Sequence, residues 1–278
     1  EDWPGHFGDY LSTGDRAVEF RAIEGDWETI PTTNESYGYH KHDHSHKSPD
    51  YLIEVLAKAV AKGGNILLNI GPRGNGTFDP IDTHILQGIG EWMAVYEASI
   101  RDAGASTLAV QPWGQSTLDG NRFYLHLFDP PEDGQVRVGG LKTDVTKVWM
   151  MADAEQRPLA HKRLDPLTVE IAVPKNAPPT GHAVVVMEVE NASNVGEHRL
   201  ISVEKTNLLH AFDSRIIGSG FDFGDGKARR DYVAGWKGGD QKLLWNIYLR
   251  EPATFQVTAE YQRLGEPVRM GDVVEAEA

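Results

Sequence analysis

The segment Lys62-Gly63-Gly64-Asn65-Ile66-Leu67-Leu68-Asn69-Ile70-Gly71-Pro72-Arg73-Gly74-Asn75-Gly76-Thr77-Phe78-Asp79 constrains the fold more than any other. Large aliphatics run unbroken between glycines, with an asparagine at each end. Such a run lacks the alternation of a half-exposed strand and predicts a short strand over residues 66–70, buried on both faces. Helical patterns flank it at residues 51–61 and 80–96. Ser48-Pro49-Asp50 supplies a capping hydroxyl and a first-turn proline for the first helix, and Asp79-Pro80 starts the second. In the second, Ile81, Ile85, Ile89 and Met93 repeat every four residues beside Trp92 and Tyr96, which predicts one apolar stripe. Helix, buried strand, glycine-rich turn and helix make up the unit of a parallel α/β fold. The glycine spacing is not that of a phosphate-binding loop.

Around this unit the chain changes character twice. Residues 1–50 are rich in aromatics, glycine and histidine with poor periodicity, as expected of loops carried on a scaffold; residues 18–23 and 27–32 are short strand candidates. From Ser106 the pattern becomes period two. Strands are expected at residues 121–128, 135–138, 145–151, 167–173 and 183–189, punctuated by turns such as Asp119-Gly120 and Pro130-Pro131-Glu132-Asp133-Gly134. Short strands at this spacing predict an antiparallel sandwich. After a polar linker at 191–197, residues 207–264 alternate again, with strands expected near 215–217, 232–233, 243–248 and 255–261. The expected fold class is therefore α/β plus all-β. The boundaries are 1–104 for the α/β part, 105–190 for a β-sandwich and 191–278 for a linker and a second, short β module.

Composition excludes several classes of partner. The formal charge of −14 over 278 residues argues against nucleic acid, whose phosphates demand a basic face. No apolar run approaches the ~20 residues that span a bilayer, so no membrane partner is expected. The chain has no cysteine, which rules out disulfides and zinc-thiolate sites. It opens on Glu1 with neither an initiator methionine nor a signal peptide in view, as a mature or trimmed product would. A periplasmic or secreted location is expected.

An ordered set of short motifs carries a resemblance. Gly8-Asp9-Tyr10, Thr13-Gly14-Asp15, Trp27-Glu28, Tyr37-Gly38-Tyr39, the Gly63 to Pro72 segment, Ile89-Gly90-Glu91-Trp92 and Trp113-Gly114 together resemble the second half of the α-L-fucosidases of glycoside hydrolase family 29. The likeness spans residues 1–190; residues 207–264 are more loosely similar to sugar-binding β modules. It implies the C-terminal part of a (β/α)8 barrel, whose strand carboxyl ends border the active site, followed by β-sandwich domains. It further implies a retaining exo-α-L-fucosidase acting on fucosylated oligosaccharides or glycoconjugates, with no cofactor and no metal. Retention uses two carboxyls roughly 5–5.5 Å apart. The family's aspartate nucleophile precedes its Gly-Asp-Tyr motif, and so lies upstream of residue 1. The partner implied is the missing N-terminal barrel half, or self-association, because a barrel remnant exposes strand edges. A non-catalytic carbohydrate-binding or scaffold protein is the alternative.

The family's acid/base sits in a Thr-Pro-Glu-like triplet. Thr13-Gly14-Asp15 is the nearest match, with Gly for Pro and the shorter Asp for Glu, and Glu19 four residues on is its competitor. Both remain open, against the default of solvated carboxylates in an acidic chain. Glu28 is expected as a supporting carboxylate paired with an arginine or a backbone amide. Asn65 and Asn69 are expected to bond neighbouring loops beneath the site. Trp3, Tyr37 and Tyr39 could offer apolar faces to fucose, although core packing is the plainer expectation for Tyr37. His6 and His40 are candidates to donate to sugar hydroxyls at the pocket rim. The alternating histidines of His40-Lys41-His42-Asp43-His44-Ser45-His46 could share one face as a metal site needs, but they equally suit a polar loop. Trp92 and Trp245 are expected in cores, and Trp236 in a glycine-rich loop.

Overall fold

The computed structural model describes residues 8–175, 178 and 181–259, so Trp3 and His6 lie outside the described residues. The chain is mixed α/β, with many strands and few helices. β1 (Leu11–Asp15), β2 (Trp27–Ile30) and β3 (Asn65–Ile66) form a parallel sheet in that order. Between β2 and β3 runs α1 (Pro49–Ala61), capped by Ser48, whose hydroxyl accepts from the Tyr51 amide. α2 (Pro80–Tyr96) starts on Asp79, which accepts from the Ile81 amide, and a short α3 (Ala98–Arg101) follows.

The antiparallel part holds two sheets. β4 (Gly114–Asp119), β5 (Arg122–Leu127), β7 (Val145–Met150) and β10 (Ala183–Val189) join in the order β4-β5-β10-β7, and β6 (Gln135–Gly139), β8 (His161–Asp165) and β9 (Thr168–Ala172) in the order β6-β9-β8. Phe123, Leu125, Val185 and Met187 of the first share a core with Val136, Val138, Val169 and Ile171 of the second. The alternate residues Tyr124, Val184 and Val186 point the other way, onto Ile53, Ala57 and Val60 of α1 and Trp92 and Tyr96 of α2. The larger sheet is thus covered on both faces. α1 is also buried on two sides: Val55 and Ala59 meet Trp27 and Ile66 of the parallel sheet and Phe20 from the loop after β1. A helix with apolar residues at 53, 57 and 60 and again at 55 and 59 can serve as the middle layer between two sheets.

A chain of buried polar contacts runs through this middle layer. Thr117 Oγ1 donates to the Ser99 carbonyl at 2.6 Å and lies 3.1 Å from His126 Nε2, while His126 Nδ1 lies 2.9 Å from His182 Nε2. Thr117 spends its one hydrogen on Ser99, so His126 must donate through Nε2 and accept through Nδ1. His182 therefore donates through Nε2. Burial, with His182 adding to it, holds His126 well below its ordinary pKa, and burial takes His182 down to about 3.

The C-terminal segment forms two-stranded pieces: β11 (Arg199–Leu200) with β16 (Ile247–Tyr248), β12 (Arg215–Ile217) with β15 (Lys242–Leu244), and β13 (Asp222–Phe223) with β14 (Val233–Ala234). It lies along both layers. Tyr248 Oη meets Thr168 Oγ1 at 2.6 Å, and the Gly226 carbonyl accepts the amides of Val18 and Glu19 at 2.8 and 2.9 Å.

Several expectations need correction. Residues 18–23 form no strand; the strand is Leu11–Asp15, because the Val18 and Glu19 amides go to Gly226 rather than to a ladder. The central aliphatic run is strand only at Asn65–Ile66 and is not buried on both faces: Leu67 is 55% exposed. α1 covers one face, and β3 is an edge. Ile81 is 43% exposed, so the α2 stripe begins one turn later, at Ile85, and continues through Ile89, Trp92, Met93 and Tyr96. β4 and β8 were not expected; β8 has three exposed residues in five and β4 little apolar content. The strand expected at 243–248 breaks at Trp245, half-buried with its Nε1 on the His210 carbonyl. Residues 255–259 form no strand, and 260–261 lie outside the described residues. Among the described residues no helix is long and apolar enough to cross a membrane.

Candidate active site

In a parallel sheet all carboxyl ends lie at one edge, and here that edge gathers the polar residues. Asp15 is the last residue of β1 and is exposed. After β2 the chain carries Thr32, Thr33 and Asn34, all 2% exposed or less, then the turn at Tyr37. After β3 comes Asn69, which bridges Thr32 in parallel fashion. Asn69 binds both neighbours: its amide donates to the Pro31 carbonyl at 2.8 Å, its carbonyl accepts from Thr33 at 3.1 Å, and its Nδ2 donates to the Tyr37 carbonyl. Asn69 thereby ties the loop after β2 to the segment after β3. Asn65 faces the Trp27 carbonyl at 3.4 Å.

Charges frame the edge. Arg16 donates to the Glu35 carbonyl at 3.0 Å, and Lys47 pairs with the Glu35 carboxylate at 2.8 Å. Gly71 lies against the 38–39 backbone so closely that a Cβ there would stand 2.3 Å from the Tyr39 amide nitrogen. The Arg73 guanidinium sits over the Tyr39 ring at 5.5 Å and pairs with Asp79 at 2.9 Å. Among the described residues, several buried polar atoms here have no hydrogen-bond partner: Thr13 Oγ1, Arg16 Nε, Thr33 Oγ1 and Asn34 Oδ1. Buried polar groups are nearly always bonded, so this concentration suits a ligand rich in hydroxyls.

The two acid/base candidates are set differently. Asp15 points toward Tyr37, whose hydroxyl lies 3.5 Å from Oδ1. Burial first, then the Asp15 charge, raises the Tyr37 phenol above its ordinary pKa. Glu19 is half-buried and tied to Lys58 of α1 at 3.1 Å, and Lys58 also pairs with Glu54 at 3.0 Å. Tyr37 is not in a core, contrary to the plainer expectation: it is half-exposed on a left-handed turn, φ 67°. Glu28 shares a rung with Ser12 and Asn65 on the sheet face away from α1. It is half-buried, and among the described residues it has neither the arginine nor the amide partner expected.

The histidine-rich loop is shaped by Asp43, which accepts from the amides of Ser36 and Ser45 at 3.0 and 2.8 Å. Bonds from Ser36 and Ser45 hold the Asp43 carboxyl well below the usual range. His40 is exposed and edge-on to His42, with centroids 5.9 Å apart. Among the described residues no three His or carboxylate groups are placed to hold a metal ion. The reading by residue type missed Arg16, Thr32 to Asn34, and Lys47. The one local signal was the Thr32-Thr33-Asn34 run just past the Trp27–Ile30 strand, and it marks neither Arg16 nor Lys47.

Known proteins bear out the resemblance. Residues 3–98 match the α-L-fucosidase family model. An α-L-fucosidase of Dictyostelium discoideum is 26% identical over 66% of this chain and 42% of its own length. The tissue α-L-fucosidase of Rattus norvegicus is 29% identical over 62% and 38%. Among solved structures, α-L-fucosidase isoenzyme 1 from Paenibacillus thiaminolyticus is similar with a TM-score of 0.60 and 28% identity, covering 66% of this chain and 46% of that one. A family 29 α-L-fucosidase of Bacteroides thetaiotaomicron, trapped as a covalent intermediate with 2-fluoro-fucosyl fluoride, gives 0.60 and 26% over 66% and 44%. These relatives are glycoside hydrolases, and the chain spans less than half of the length of each.

Proposed function

We propose that the chain is the C-terminal part of a retaining exo-α-L-fucosidase that removes terminal fucose from oligosaccharides or glycoconjugates outside the cell or in a periplasm. On this reading β1–β3 with α1 and α2 close a (β/α)8 barrel over residues 1–104. The antiparallel sheets are a β-sandwich over 105–190, and 191–278 hold a linker and a carbohydrate-binding-like module. One coincidence carries the reading: the family match covers the residues of the parallel sheet and its helices, and Asp15 stands at the carboxyl end of a parallel strand, where barrels do their chemistry.

Asp15 is then the acid/base. It protonates the glycosidic oxygen as the bond to the anomeric carbon breaks, and later takes a proton from the attacking water. The aspartate nucleophile, upstream of residue 1, holds the sugar covalently in between; the trapped intermediate of the Bacteroides relative supports this course. Glu19 competes less well because Lys58 holds its carboxylate toward α1. Tyr39 and His40, both exposed beside this edge, suit the sugar's apolar face and hydroxyls; Trp3 and His6 keep their expected binding roles. Glu28, Asn65 and Asn69 support from the sheet. Among the described residues β1 and β3 are the edge strands of this sheet, which suits docking of the upstream barrel half or a second copy.

The test is hydrolysis of 4-nitrophenyl α-L-fucoside. The chain alone is expected to be inactive, and addition of the upstream half to restore turnover. Asp15→Ala should abolish that turnover and azide should rescue it, whereas rescue confined to Glu19→Ala would move the role to Glu19. Binding of fucosyl glycans without turnover in the combined protein would identify a carbohydrate-binding scaffold instead. A well-behaved monomer in dilute size-exclusion runs, with no partner, contradicts the docking.

A further inference from the structure

Tyr37 adopts a backbone conformation, φ 67°, in which a bulky side chain is an outlier. Such strain persists only where the surroundings over-determine it. Here two side-chain amides hold the turn: Asn69 Nδ2 donates to the Tyr37 carbonyl, and Asn34 Nδ2 donates to the Gly38 carbonyl at 3.2 Å. The approach of Gly71 to the Tyr39 amide backs the same turn. The result is a phenol hydroxyl 3.5 Å from Asp15 Oδ1. A tight O–H···O bond measures ~2.7–2.8 Å, and contacts of this kind commonly shorten once substrate is bound.

We propose that Tyr37 is the positioning residue for Asp15: its hydroxyl donates to Oδ1 and so presents Oδ2 to the glycosidic oxygen. This rests on Asp15 being the acid/base. In the first half-reaction the proton on Oδ2 passes to the leaving oxygen as its bond to the anomeric carbon breaks. In the second, Asp15 takes a proton from the attacking water, and Tyr37 keeps its own proton throughout. A phenol that donates to a carboxylate oxygen makes a charge-assisted hydrogen bond, which fixes the orientation of the carboxyl as well as adding energy. The same contact, read from the other side, contributes to the raised pKa of Tyr37. Arg16 is the neighbouring cation and works against that rise. Its charge is shared with Glu35, which also pairs with Lys47.

Two measurements test this. Difference titration of phenolate absorbance against Tyr37→Phe isolates Tyr37, and needs no turnover. With Asp15→Asn as the background, the isolated phenol should titrate at lower pH; an identical titration in both backgrounds overturns the proposal. In the combined protein, Tyr37→Phe should lower kcat on the order of tenfold, a fraction of the ~10²–10⁴ a general acid supplies. KM should hold. A rise in KM alone overturns it. Undiminished turnover by Asp15→Asn would instead sink the acid/base assignment while leaving the titration result standing.

Discussion

Gly64→Ala puts a methyl group where the structure has none to spare. The added Cβ would lie 2.3 Å from Cζ2 of Trp27 and 2.4 Å from Cε2 and Cη2, against the 3.4 Å at which ordinary contact begins. Something must therefore move by about 1 Å. The indole has no room to retreat: Trp27 is 1% exposed, its core cluster includes Val55 and Ala59, and it lies 5.3 Å from the Phe20 ring. The backbone is held as well, since the Gly64 amide donates to the Ala59 carbonyl at 2.9 Å just before β3 begins. Overpacking costs ~1–3 kcal/mol, and two immobile partners put this site in the upper half of that range. At roughly 2–4 °C per kcal/mol for chains of this size, the midpoint of thermal unfolding should fall by on the order of 5–10 °C, read by circular dichroism. Trp27→Phe removes the atoms in conflict, so the double variant should lose less than the two single losses added. A Gly64→Ala midpoint within a degree of the parent, or strict additivity with Trp27→Phe, would refute the packing of α1, β2 and β3 argued here.

Three further outcomes follow from the same geometry. His182, brought down to about 3 by burial, stays neutral in the folded chain while its unfolded form takes a proton near pH ~6.5. Stability is therefore complete above that pH and declines as pH falls toward 3. Urea midpoints across that range should show the decline, and His182→Gln, which keeps a donor for His126, should make it shallower, the share from buried His126 remaining. Gln111 is 2% exposed and bonds both the amide and the carbonyl of Gly139, at 2.9 and 3.2 Å; Gln111→Ala should cost ~1–3 kcal/mol in denaturant unfolding. Ser48→Ala removes the cap on α1 and should cost about 1 kcal/mol by the same measurement, with Ser48→Asp restoring most of it.

Much of the fold was legible because local signals agreed. Ser48-Pro49 and Asp79-Pro80 mark helix starts within a residue of those observed. Alternation located β5, β6, β7, β9 and β10 because their inward residues are uniformly large and apolar. β8 escaped because it is an exposed edge with no apolar face, and β1 because its Leu-Ser-Thr-Gly-Asp carries no period at all. At the site, the motifs pointed to Asp15, Tyr37 and Asn69 one by one. That Asn69 bonds the Tyr37 carbonyl, and that Tyr37 meets Asp15, depends on residues 22 and 32 positions apart, which no local pattern encodes.

The sequence by itself determined where helices and most antiparallel strands begin and end, that the chain is acidic and without thiols, and which family it resembles. Each of these is set by neighbours along the chain or by composition. Tertiary structure alone decided that α1 lies between two sheets, that Lys58 draws Glu19 aside while Asp15 faces Tyr37, and that the aliphatic run has only one covered face. Those outcomes turn on which surfaces meet, and surfaces meet through contacts between residues far apart in the chain.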